Sequence, residues 1–126
     1  EQLMIPGFKS NSSYTTLGAT RYIHVMATAA RAANMATTAN SNVLLGVMQN
    51  NPDVGEAMSI AYAGLSKVVA GAAVSANAII TTNASGRAIT VTSGTMATGR
   101  ALEAAGADGD VITAMLFHPV RWSDAV

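Results

Sequence analysis

The sequence has 126 residues, of which 50% are apolar and only 11% are charged, so it fits one domain with a modest core and is not a disordered chain. Seven basic and seven acidic side chains cancel, which disfavours nucleic acid and anionic membranes as direct partners. The chain contains no cysteine, so disulfide frameworks, thiolate metal sites and cysteine nucleophiles are excluded.

So small a charged share indicates that much of the surface faces another protein. No apolar run approaches the roughly 18 residues that a membrane helix needs, and the sequence reads as a soluble protein. The first 17 residues mix Pro6, Gly7 and several serines with isolated apolar side chains. This composition predicts an extended N-terminal arm, residues 1–17, followed by a single β-rich domain, residues 18–126.

The alternating pattern of side chains after Arg21 predicts a strand with two different faces. Residues 27–40 are rich in alanine and threonine, a composition that fits either a short helix or a long surface loop. Residues 43–49 form a short apolar run that ends at the turn formers Asn50, Asn51, Pro52 and Asp53. The expected strand places Tyr22, His24 and Met26 on one face and Ile23 and Val25 on the other.

From Asp53 onward the chain repeats short apolar runs separated by glycine-containing turns. Such close spacing leaves no room for crossover helices, so the predicted fold class is all-β, a compact small sandwich or barrel of short strands. The best-marked hairpin joins residues 79–82 to residues 87–92, with Gly86 supplying the positive φ of the turn. Residues 101–107 fit either strand or one helical turn. The other expected runs are 56–63, 67–69, 78–82, 88–92, 96–102 and 111–117.

Residues for catalysis are scarce. His24 and His118 are far apart in sequence and have no acidic neighbours, so we interpret them as strand-face or surface residues and expect no metal site. The turn Asp108-Gly109-Asp110 lacks the ligand series of a calcium loop. No nucleophile elbow or phosphate-binding loop occurs. We therefore expect no enzyme, no catalytic residue, no cofactor and no small-molecule substrate.

Three stretches carry a family resemblance. Residues 54–71, with Gly55-Glu56, Gly64 and Ala70-Gly71, resemble the "x-Gly-Glu-x-Val-x-Val … Gly-x-x-x-Val-x-Ala-Gly" pattern of bacteriophage capsid decoration, or cement, proteins. Residues 78–88 are similar to their "x-x-Val-x-x-Asp-x-x-Gly-Lys-Ala" hairpin. Residues 99–105 and 109–116 are similar to their closing "Gly-Arg-Ala-Leu-Glu-x-Ala … Gly-Asp-x-Ile-x-Val-x-Leu". The resemblance spans residues 21–117.

The resemblance implies a structural protein on the exterior of the phage head that stabilises contacts between major capsid subunits. It also implies a homo-trimer, present in the host cytoplasm during assembly. Residues 27–40 and 120–126 depart from the family pattern, and these two segments and the arm are the expected contact regions. Trp122 fits either a core lid or an interface anchor. A carbohydrate-binding or tail-fibre domain is the alternative function. The predicted interface residues are Ile5, Phe8, Tyr14, Met35, Arg121 and Trp122.

Overall fold

A computed structural model describes residues 2–5, 7–10, 21–37 and 43–122. All regular elements in these ranges are strands, which confirms the all-β prediction, and this part of the chain offers no helix able to cross a membrane. The strands are β1 Gln2–Ile5, β2 Lys9–Ser10, β3 His24–Ala29, β4 Ala32–Met35, β5 Leu44–Met48, β6 Ile60–Val69, β7 Ile79–Thr82, β8 Ala88–Thr90, β9 Met96–Ala101 and β10 Val111–Arg121.

The strands form one ten-stranded open sheet in the order β2-β4-β3-β5-β6-β10-β9-β7-β8, with β1 paired to β6 off this path. The sheet curls back on itself, because Ala88 of β8 makes a parallel bridge to Ala70 directly after β6. The backbone N–H of Gly71 also donates to the carbonyl of Ala88 at 2.7 Å. Strands β6, β10, β9, β7 and β8 are therefore linked in a nearly closed ring.

This ring surrounds the larger of the main buried clusters, which includes Val68, Ile80, Ile112 and Leu116. Alanines supply much of its lining, and their small side chains let the strands approach closely. A second cluster lies where β3, β5 and the start of β6 meet and includes Val25, Met48 and Ile60. Since β6 contributes to both clusters, it is the strand that joins the two parts of the fold.

Residues 27–35 are neither helix nor surface loop. They form the end of β3, a turn at Ala30 and Arg31, and β4, with Val25 paired to Met35 and Ala27 to Ala33. Burial explains why the alanine helix propensity is overridden: Val25 and Ala33 are fully buried, and tertiary packing outweighs a few tenths of a kcal/mol per residue. Residues 38–40 lie outside the described ranges. The helical turn allowed at residues 101–107 is likewise absent, since Ala105 bridges Val74.

The runs predicted at 56–63 and 67–69 belong largely to a single strand, β6. Gly64, interpreted from sequence as a turn, lies inside β6 with a φ of 91°. A register shift in the pairing with β1, between Leu3 and Met4, leaves Tyr62 without a partner residue there. Gly64 is itself paired with Gln2 and Leu116, so it adopts a positive φ inside a continuing strand and does not end it.

The hairpin at residues 79–92 is confirmed as β7 and β8. Gly86 has a φ of 75°, and the Asn83 side chain organises the turn, because its Oδ1 accepts the backbone N–H groups of Ser85 at 2.9 Å and Arg87 at 3.0 Å. The backbone N–H of Asn83 in turn donates to the Arg87 carbonyl at 2.8 Å. The turn is thus closed by local hydrogen bonds, as its composition predicts.

The described parts of the predicted arm include two strands. β1 pairs antiparallel with β6, and β2 pairs in parallel with β4. Residues 11–20 lie outside the described ranges, so the division of the chain at residue 17 stays a prediction.

Candidate interaction surface

Two large apolar side chains lie exposed and opposite each other on the outer side of the ring of strands. Leu65 of β6 is paired with Met115 of β10, and their side chains are 43% and 49% exposed. Neighbours along both strands point the other way: Ser66, Ala114 and Leu116 are buried. Alternation fixes this arrangement, since residues i and i+2 share a face, so burying one face of β10 necessarily presents Met115 outward.

Charged side chains flank this apolar pair. Met115 is also paired with Arg100 of β9, which is exposed and donates from Nη1 to the Asn77 carbonyl at 3.1 Å. Lys67, exposed two positions after Leu65, is paired with Thr113. On the other side, Leu3 is paired with Ala63 and is half exposed. We call the surface formed by Leu3, Leu65, Lys67, Arg100 and Met115 the β6–β10 face.

The β6–β10 face has the character of a protein contact surface. An antiparallel sheet usually covers its outer side with polar residues, whereas here three neighbouring strands each present an exposed apolar side chain, and cations border them. Contiguous exposed apolar side chains with a polar rim are typical of surfaces that bind another protein.

The predicted interface residues do not come together on this face. Ile5, Phe8 and Met35 are half-buried and pack against the second cluster, so at least part of each side chain stabilises the domain itself. Tyr14 lies outside the described ranges. Any contact that these residues make with a partner stays a prediction.

Arg121 and Trp122 lie at the end of β10, which runs past the predicted limit of Phe117. The Arg121 Nη1 donates to the Gly94 carbonyl at 2.6 Å. The backbone of Trp122 exchanges hydrogen bonds with the β8–β9 turn, its N–H donating to the Thr95 carbonyl at 2.8 Å. The Trp122 side chain is half-buried, which fits both the lid and the anchor interpretations.

His24 lies on a strand, as predicted, and is fully buried. Its Nδ1 is 3.2 Å from the Gly86 carbonyl and its Nε2 is 2.8 Å from Thr98 Oγ1. A carbonyl only accepts, so Nδ1 carries the proton and Nε2 accepts the Thr98 hydroxyl. Burial lowers the pKa of His24 from 6.5 to about 4, although the hydrogen bond to Gly86 opposes this. His24 is therefore a neutral link between β3, β9 and the β7–β8 turn.

The acidic turn is organised by its own backbone. Asp110 Oδ2 accepts the N–H groups of Gly106 at 2.9 Å and Ala107 at 3.2 Å, while Asp108 Oδ1 lies 2.7 Å from Arg87 Nη1. These carboxylates are committed to the turn and to one exposed ion pair. Among the described residues, no three His, Cys, Asp or Glu side chains are grouped closely enough to hold a metal ion.

Sequence reasoning did not single out Leu65 or Met115. A signal was present, because residues 111–117 are apolar at almost every odd-numbered and even-numbered position. In a strand that packs on one face only, apolar residues would alternate with polar ones. Apolar residues on the second face of such a strand indicate either that this face is also buried or that it contacts a partner.

The family model described as "Phage cement protein" matches residues 15–116. No curated protein matches the sequence. Among solved structures, the chain is similar to one described as the N base of the head fiber gp8.5 of bacteriophage phi29, with a TM-score of 0.64 at 16% identity over 95% of this chain and 100% of that one. At this identity the likeness shows a shared fold.

Proposed function

The chain belongs to the phage cement protein family, and from this premise we propose that it binds the exterior of a phage head and stabilises contacts between major capsid subunits. The family match over residues 15–116 supports this role. In this proposal the protein works by binding alone, without catalysis, and its place is the virion after a period in the host cytoplasm during assembly. A homo-trimer is the form in which we expect it to bind.

The observation that carries the proposal is the β6–β10 face. Burial of apolar surface contributes roughly 25 cal/mol per Å², so a few side chains such as Leu65 and Met115 give each copy a modest affinity. Many copies on one particle multiply modest contacts through avidity. Lys67 and Arg100 add orientation, because bordering charges select a partner surface that carries carboxylates.

Binding to heads tests the proposal. Purified protein is expected to cosediment with expanded heads and to raise the temperature at which they break open. Met115→Glu places a carboxylate in the centre of the β6–β10 face without touching the core, and we expect at least a tenfold loss of head affinity, which corresponds to about 1.4 kcal/mol. Val54→Glu is the matched control, since Val54 is 63% exposed on the β5–β6 connection and lies off the face.

Each result has a distinct meaning. Failure of the unaltered protein to bind expanded heads would contradict the proposed function. Equal loss for Met115→Glu and Val54→Glu would show that the β6–β10 face is not the contact surface. Saturable binding to glycans in place of heads would favour the carbohydrate-binding alternative.

A further inference from the structure

A notch lies at one end of the ring of strands, beyond the region occupied by Leu65 and Met115. It is an open depression with a volume of about 390 Å³, within the range of sites that take a small ligand or a large side chain. Neither the sequence patterns nor the family match assigns it a role. Its lining residues are Arg21, Tyr22, Asn51, Val69 and Val111.

Two valines form the apolar floor of the notch. Val69 and Val111 are paired across β6 and β10; Val69 is almost fully buried, whereas Val111 is 51% exposed. The exposed part of Val111 gains free energy only if another apolar group covers it. The notch is therefore suited to an apolar side chain.

The position of Tyr22 is imposed by the fold. Its φ of 70° lies in the left-handed region, which is unfavourable for a bulky residue. Two backbone hydrogen bonds hold it: the Tyr22 N–H donates to the Met48 carbonyl at 2.8 Å, and the Val69 N–H donates to the Tyr22 carbonyl at 3.0 Å. Strain that the surrounding structure maintains is often found at binding sites.

The charge of the notch selects a class of ligand. Arg21 is exposed at its margin, and none of the five lining residues is acidic. A guanidinium is always charged and pairs well with carboxylates. A partner group that combines an apolar body with a neighbouring carboxylate would satisfy both the valine floor and Arg21.

The notch lies on the same side of β10 as the β6–β10 face. Val111 and Met115 lie on the same side of β10, four positions apart along a regular part of the strand, and are thus about 13 Å apart. A partner that covers Met115 and extends about 13 Å along β10 would also reach Val111. Interfaces commonly concentrate their affinity where one side chain enters a pocket at such a surface.

We propose that the notch is an anchor pocket that binds an apolar side chain next to a carboxylate on the capsid partner. This inference rests on the proposed function for the identity of the partner. The chemistry of the pocket itself is independent of it, because the pocket is part of the isolated chain.

A probe titration tests that chemistry without phage heads. N-acetyl-L-phenylalanine carries an aromatic side chain beside a carboxylate, and its amide, N-acetyl-L-phenylalaninamide, lacks the charge. In NMR titrations of the full chain we expect saturable shifts at Tyr22, Val69 and Val111, with the acid binding about three- to tenfold more tightly than the amide.

Matched variants locate the effect. Arg21→Gln is expected to remove the preference for the acid, whereas Arg121→Gln, at the far end of β10, retains it. Val111→Glu is expected to abolish probe binding and to weaken head binding at least tenfold. Val120→Glu is its control, because Val120 lies on the same strand and is 47% exposed.

Absence of saturable shifts, or an acid preference that survives Arg21→Gln, would overturn the proposal even if the protein binds heads. If the unaltered protein fails to bind heads but retains the acid preference, the proposed function fails and the pocket chemistry stands. If Arg21→Gln alters self-association measured by sedimentation and leaves head binding unchanged, the occupant is a second copy and the proposal is wrong.

Discussion

Replacing Gly46 by alanine is expected to remove a large part of the protein's stability at 25 °C. A Cβ at this position would lie 2.2 Å from the carbonyl oxygen of Ala61 and 3.1 Å from the Cα of Tyr62. Both atoms are backbone, so no side chain can move aside, and β5 would have to separate from β6. We expect a loss of more than about 4 kcal/mol of unfolding free energy, a large part of the roughly 5 to 15 kcal/mol by which a folded domain is stable.

Chemical denaturation followed by circular dichroism measures this loss. Gly106→Ala is the control, because the added Cβ would meet only the Asp110 carboxylate at 3.5 Å, and we expect a change within about 0.5 kcal/mol. A Gly46→Ala protein with near-normal stability would show that β5 and β6 can separate locally and that their close approach does not limit the fold.

Mild acid is expected to destabilise the protein through His24. The pKa of His24 is about 4 in the fold and 6.5 when unfolded, so below pH 6.5 the unfolded chain takes up a proton that the folded chain refuses. The contribution of neutral His24 to stability is therefore fully present above pH 6.5 and is lost progressively as the pH falls toward 4. We expect a loss of about 2 kcal/mol between pH 7 and pH 5, measured by urea denaturation.

Two histidine variants isolate this effect. His24→Gln is expected to be less stable at pH 7 by about 2 to 3 kcal/mol, because Thr98 and Gly86 lose their ring partner, and to show a much flatter profile between pH 7 and pH 5. His118→Gln, at an exposed site, is expected to keep the acid sensitivity. An unchanged slope in His24→Gln would assign the sensitivity to other groups.

The class of the fold could be predicted from sequence because its signals are local. Turn chemistry at Asn83 and Gly86 identified the β7–β8 hairpin, and apolar runs identified β5, β7, β9 and most of β10. The order of the strands could not be predicted. It depends on pairings between distant residues, such as Leu3 with Ala63 and Val111 with Val69, which no local pattern encodes.

Two expectations that the structure overturns, a helix or loop at residues 27–35 and a turn at Gly64, have a common cause. Ala27 and Ala33 have intrinsic preferences for helix, and Gly64 has one for turns. Each lies in a strand because long-range packing outweighs those preferences. The β6–β10 face could not be predicted for a related reason. Leu65 and Met115 can be recognised as adjacent exposed residues only when β6 and β10 are known to be neighbours.

The order in which the chain is made gives the β6–β10 pairing a further consequence. β10 is the last described strand, yet it pairs with the middle of the sequence and contributes to both the ring of strands and the β6–β10 face. A polypeptide that ends before residue 111 lacks Met115 and leaves that edge of β6 open. A copy therefore gains the β6–β10 face, its proposed contact surface, only when the last described strand has been made.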